Sequence, residues 1–92
     1  MEKIRDFNIG LFFREKPALM LIALRRMSKA KYGSILAKEV NCTYSHAVKI
    51  LQLLEKKGIV VFEKKGRIKI IKLTKKGEEI ADHIEIIRNL LS

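Results

Sequence analysis

A chain of 92 residues with 48% apolar side chains has material for one small core and is expected to form one domain over 1–92. Twenty Lys and Arg against ten Asp and Glu leave a formal charge of +10, which fits a polyanionic partner such as nucleic acid, an acidic membrane surface or an acidic protein. The composition speaks against a disulfide, a membrane span and a signal peptide: Cys42 is alone, the longest apolar stretch runs only from Pro17 to Leu24, and Glu2 and Asp6 interrupt the basic N-terminus, so a cytoplasmic chain with no membrane partner is expected.

In chain order, Ile4, Phe7 and Leu11 lie at helical spacing and predict a short helix over 1–13, interrupted by Gly10 at a cost of about 1 kcal/mol relative to Ala. Pro17 suits the first position of a new helix, where its missing N–H has no partner. Leu19, Ile22 and Ala23 then give that helix, over 17–28, a buried face. A basic connector over 29–33 leads to Ser34, read as the N-cap of a second helix that ends at Val40 and buries Ile35, Leu36 and Val40. Asn41 and Cys42 form a tight turn, and Thr43 caps a third helix that Gly58 ends. Beyond Gly58 the pattern turns extended. Residues 59–62 and 67–73 predict two strands joined by a Gly-containing loop over 63–66, a hairpin with a basic tip. Thr74 caps a last helix over 75–91, in which Ile80, Ile84, Ile87 and Leu91 recur on one stripe and Gly77 weakens the first turn. The fold class is thus mainly α with a small β-hairpin (α+β), in the order helix, helix, helix, hairpin, helix.

The charge is not evenly spread. Between Tyr44 and Lys76 stand ten Lys and Arg against only Glu55 and Glu63, so this third of the chain carries eight of the ten net charges. Charge concentrated in this way repels itself, and a bound polyanion relieves the repulsion. On the third helix Ser45, Lys49, Gln52 and Lys56 fall on one face opposite the apolar residues, with Tyr44 and His46 at its N-terminal end. Such a face carries the donors, acceptors and cations needed to read base edges and hold phosphates in a major groove. The basic hairpin, with Lys64, Lys65 and Arg67, is suited to a minor groove or to flanking phosphates. The expected DNA-binding set is Thr43, Tyr44, Ser45, His46, Lys49, Gln52, Lys56, Lys64, Lys65 and Arg67.

The run Leu36-Ala37-Lys38-Glu39-Val40, Asn41-Cys42-Thr43-Tyr44-Ser45-His46, and then Leu54-Glu55-Lys56-Lys57-Gly58-Ile59-Val60 resembles the helix-turn-helix core of MarR-like and ArsR-like winged-helix transcription regulators, small archaeal ones in particular. Leu73-Thr74-Lys75-Lys76-Gly77-Glu78-Glu79-Ile80 is similar to the segment that leaves the wing in that superfamily. The resemblance implies a winged helix-turn-helix fold, with helix-turn-helix over 34–57 and wing over 59–73. It also implies Tyr44, Ser45, His46 and Lys49 on the recognition helix, Lys64, Lys65 and Arg67 on the wing, and double-stranded DNA bound by a homodimer. The chain departs from full-length MarR-like proteins, which use longer helices at both termini to dimerise and often to enclose an effector pocket, so no small-molecule effector is expected. The stripe from Ile80 to Leu91 either pairs with a second copy, or with a partner's Ile4, Phe7 and Leu11, or packs within its own monomer.

Nothing in the pattern predicts catalysis, a metal or another cofactor. Cys42 and His46 stand four apart, but His83 is the only other histidine, too few ligands for a metal and too little for a nucleophile with its base. Two other partner classes use the same charge. One is structured RNA, and the other is a protein in a transcription, replication or repair assembly, whose mark would be an exposed apolar patch on the third helix or the hairpin.

Overall fold

The computed structural model describes residue 10 and residues 14–26 and 32–92; the expected helix over 1–13 apart from residue 10, the last two residues of the helix expected over 17–28, and residues 29–31 of the connector expected over 29–33 lie outside the described residues. Among the described residues four helices and one hairpin follow in order: α1 Glu15–Arg26, α2 Gly33–Glu39, α3 Tyr44–Lys56, β1 Val60–Lys65, β2 Ile68–Leu73 and α4 Lys75–Leu91. The strands pair antiparallel, Val60 opposite Leu73 at the base and Lys65 opposite Ile68 at the tip.

Every element sends apolar residues into one core. Met20, Leu21 and Leu24 come from α1, Leu36 and Ala37 from α2, Ala47, Ile50, Leu51 and Leu54 from α3, Val60 and Ile71 from the hairpin and Ala81 from α4. Met20, Leu21, Leu36, Leu54, Ile59 and Val60 are its largest fully buried side chains, each contributing about 1.5–3 kcal/mol of burial. Arg25 donates to Asp82 at 2.9 Å, and Arg26 pairs with Glu85, so exposed ion pairs also tie α1 to α4.

Several boundaries differ from the sequence expectation. Helix α1 begins at Glu15, not Pro17; Pro17 is still in the first turn, where no intrahelical N–H is needed. Ser34 is not the cap of α2. Tyr32 holds that place in an extended conformation, its carbonyl accepting from the Leu36 N–H at 3.0 Å, and Ser34 lies exposed inside the helix. The helix also ends at Glu39, with Val40 as C-cap. In the hairpin the strands are longer at the tip: residues 63–65 belong to β1, and only Gly66 and Arg67 form the turn. Gly66 has φ +63, the conformation that a two-residue hairpin turn demands of its first position. Ile59 is a buried junction residue, not part of the strand.

The turn that aims α3 is held by backbone geometry. Asn41 has φ 55, and beside it the Asn41 N–H reaches Lys38 O at 3.1 Å and the Cys42 N–H reaches Ala37 O at 2.9 Å. These two bonds close a helix C-terminus with a left-handed residue in the position usually held by Gly or Asn. From α1, the Lys16 ammonium donates to Val40 O at 2.8 Å. Asn41→Ala is expected to cost about 1 kcal/mol and Asn41→Gly to be near neutral, as read by urea denaturation, because only the first forces a Cβ-bearing residue without a local side-chain amide into this region.

Candidate nucleic-acid interface

Helix α3 is capped as the sequence predicts: the Thr43 hydroxyl oxygen accepts from the His46 N–H at 3.1 Å. Its buried stripe of Ala47, Ile50, Leu51 and Leu54 fixes the opposite face outward. Thr43, Tyr44, Ser45, His46, Lys49, Gln52 and Lys56 are all exposed. Among the described residues Lys49 and Lys56 have no ionic partner. Tyr44 is 60% exposed, yet its ring leans on the start of α2, so close to Gly33 that a Cβ there would lie 3.3 Å from Tyr44 Cε1. It therefore spaces the two helices as well as presenting its hydroxyl. Cys42 is partly buried against the core.

The exit of α3 is equally defined. The Gly58 N–H bonds Glu55 O at 3.0 Å and the Ile59 N–H bonds Leu54 O at 2.9 Å, a 5→2 and 6→1 pair that ends the helix and turns the chain into β1. Three residues, 57–59, separate the helix from the hairpin.

Strand alternation sorts the hairpin's charges in a way the sequence reading missed. Side chains along a strand point to alternate faces, and directly paired residues share one. Val60 and Ile71 are buried, with Phe62 and Leu73 packed against the core, so the face bearing these four also bears the opposed pair Lys64 and Lys69. Val61, Glu63 and Lys65 of β1 lie on the other face with Ile68, Ile70 and Lys72 of β2. Lys64 and Lys65, expected together in a loop, thus point away from each other, while Lys69 joins Lys64. The period of two, anchored on Val60 and Ile71, was the signal available for this in the sequence.

On the outer face Glu63 is 2.7 Å from Lys72 and 3.5 Å from Lys65. The hydrogen bond and charge of Lys72, then the charge of Lys65, hold the Glu63 carboxyl below the usual carboxylate range. Lys69 Nζ sits 5.5 Å from the Phe62 ring centroid. Arg67 is exposed at the turn. The outer face also leaves Val61 47% and Ile68 46% exposed, apolar surface where the sequence pattern showed only charge.

Away from this region an open groove of about 740 Å³ runs between α1 and α4, lined by Leu19 and Ile22 on one side and Ile80, Ile84, Ile87 and Leu91 on the other. The predicted stripe is therefore divided: Ile80 and Ile84 pack on the core, whereas Ile87 and Leu91 are exposed, as are the neighbouring Ile86 and Leu90. No helix among the described residues is long and apolar enough to cross a membrane. Among the same residues no group of three His, Cys, Asp or Glu could hold a metal ion.

No protein-family model matches the chain. An uncharacterised protein of Archaeoglobus fulgidus is 33% identical over 91 residues, 96% of both chains. A crystal structure from the same organism superposes with a TM-score of 0.82 at 32% identity, over 92% of this chain and 97% of that one. MepR, described as a transcription regulator of the Staphylococcus aureus multidrug efflux pump MepA, shares the fold with a TM-score of 0.79 at 20% identity, over 94% of this chain but 66% of its own. A MepR variant solved with a bound oligodeoxyribonucleotide gives a TM-score of 0.77 at 20% identity, over 89% of this chain and 62% of its own. The present chain thus spans somewhat less than two thirds of the longer regulators it superposes on. It belongs to the family of the Archaeoglobus protein, a small archaeal type of the MarR-like winged helix-turn-helix fold.

Proposed function

We propose that this chain is a transcription regulator that binds double-stranded DNA sequence-specifically, with α3 in the major groove and the hairpin on the adjacent minor groove or its phosphates. One observation carries the reading: the exposed face of α3 presents Ser45, Lys49, Gln52 and Lys56, and among the described residues no carboxylate pairs with either lysine. In the proposed pose Ser45, His46 and Gln52 meet base edges. Lys49 and Lys56 meet phosphates, and the N–H groups of the first turn not taken by Thr43 favour a phosphate at the helix start. The oligodeoxyribonucleotide on the MepR variant supports the choice of DNA over other polyanions. The chain then acts in the cytoplasm by binding alone, without catalysis. The exposed apolar end of α4, Ile86 to Leu91, supports a homodimer, which would repeat the reading helix about a two-fold axis.

Titration of duplex DNA at several salt concentrations tests this. The log of the affinity is expected to fall with log salt with a slope on the order of −4 or steeper, as several phosphate contacts require, and a flat response would overturn the reading. Lys49→Ala should make the slope shallower by about 1, while His46→Ala should relax sequence preference more than overall affinity. Competition with structured RNA of equal charge should leave the duplex bound. A protein-interaction module is the second reading, favoured by the exposed Val61 and Ile68; retrieval of one stoichiometric protein without DNA would establish it.

A further inference from the structure

We infer that the wing grips the nucleic-acid backbone with the face that packs on the helices, through the opposed Lys64 and Lys69, and not with its outer face. The inference rests on the proposed DNA binding and deepens it. Lys64 and Lys69 are direct cross-strand partners, both exposed, and among the described residues neither has a carboxylate partner. Like charges placed directly opposite on a sheet face destabilise it, so the free protein bears a cost that an anion between the two ammonium groups removes. The stack of Lys69 over Phe62 restricts the lysine without neutralising it. Phe62 is itself packed against the core, so the restriction ties this cation to the body of the protein. The outer face is different. Glu63 lies within ion-pair distance of both Lys65 and Lys72 and offsets half of their charge, and the exposed Val61 and Ile68 beside them offer a phosphate nothing. Two uncompensated cations on one side and a three-residue ion-pair cluster on the other make the hairpin electrostatically two-sided, although its sequence is basic throughout.

The salt slope of binding to a duplex of random sequence, measured for the full chain and single variants, tests this. Lys64→Gln and Lys69→Gln are each expected to reduce the slope by about 0.9, the loss of one phosphate contact, and Lys65→Gln and Lys72→Gln by less than half as much. A second readout separates electrostatics from damage to the fold. Lys64→Glu, which puts an opposite charge before Lys69, should raise the melting temperature of the free protein at low salt by about 2 °C while weakening DNA binding. A wild-type slope that is steep but insensitive to Lys64 and Lys69, or equally sensitive to Lys65 and Lys72, overturns the inference and leaves DNA binding standing. A flat wild-type slope removes both.

Discussion

Gly77→Ala is expected to destabilise the fold by about 3 kcal/mol or more, a larger loss than any surface change in this chain, because there is no space for one methyl group. A Cβ at this position would lie 2.1 Å from Ile59 O, with Ile59 C and Leu73 Cδ2 both at 3.1 Å. The obstacle is backbone, which cannot rotate aside as a side chain can. Nor can the backbone retreat cheaply, since Thr74 holds the same junction. The Thr74 N–H donates to Ile59 O at 3.0 Å and the Thr74 hydroxyl donates to Gly58 O at 2.7 Å. The hydroxyl oxygen meanwhile accepts from the Gly77 N–H at 3.0 Å. The start of α4 is thereby fastened onto the joint between α3 and β1, and a methyl group would push the joint apart. Thermal unfolding should show a fall in melting temperature on the order of 15 °C; a fall below about 4 °C, the smallest shift expected for 1 kcal/mol, would show that the junction yields easily.

The second large effect is expected at Leu54. This side chain is fully buried in the last turn of α3, and its own carbonyl receives the Ile59 N–H at 2.9 Å, with the Ile59 side chain buried beside the same core. Leu54→Ala is expected to cost about 2–5 kcal/mol through lost burial and the cavity left behind. In a small domain with about 5–15 kcal/mol of total stability that is a large share. Because Leu54 also sets how the hairpin departs from the helix, DNA affinity should fall even at temperatures where the variant is folded. Urea denaturation together with binding on the fully folded fraction separates the two losses. Leu53, 39% exposed on the neighbouring face, is the control: Leu53→Ala should change stability by much less.

The helical part of the fold was legible because its signals are local. Thr43 and Thr74 are N-caps in the structure as they read in the sequence, and the apolar spacing of α3 gives its buried stripe directly. What escaped the sequence depends on contacts between distant residues. Gly77 read as a weakness in a helix, because the Ile59 carbonyl that excludes every larger residue is 18 positions away. Ser34 had the right chemistry for a cap, but the extended backbone at Tyr32 places the cap two residues sooner. In the hairpin the run Glu63-Lys64-Lys65-Gly66 looked like a polar loop because its composition is that of a turn; pairing to β2 made three of those four residues strand. That change of register divides the wing's cations between two faces and brings Lys69, absent from the expected contact set, beside Lys64.

The most direct test of the account is selection of bound duplexes from a random-sequence pool by the full chain at near-physiological salt. If α3 reads base edges in a two-fold dimer, the enriched sequences should converge on an inverted repeat with half-sites about 10 base pairs apart, or a multiple of that. A pool that remains random after repeated rounds, while the protein stays folded, would contradict base reading by Ser45, His46 and Gln52.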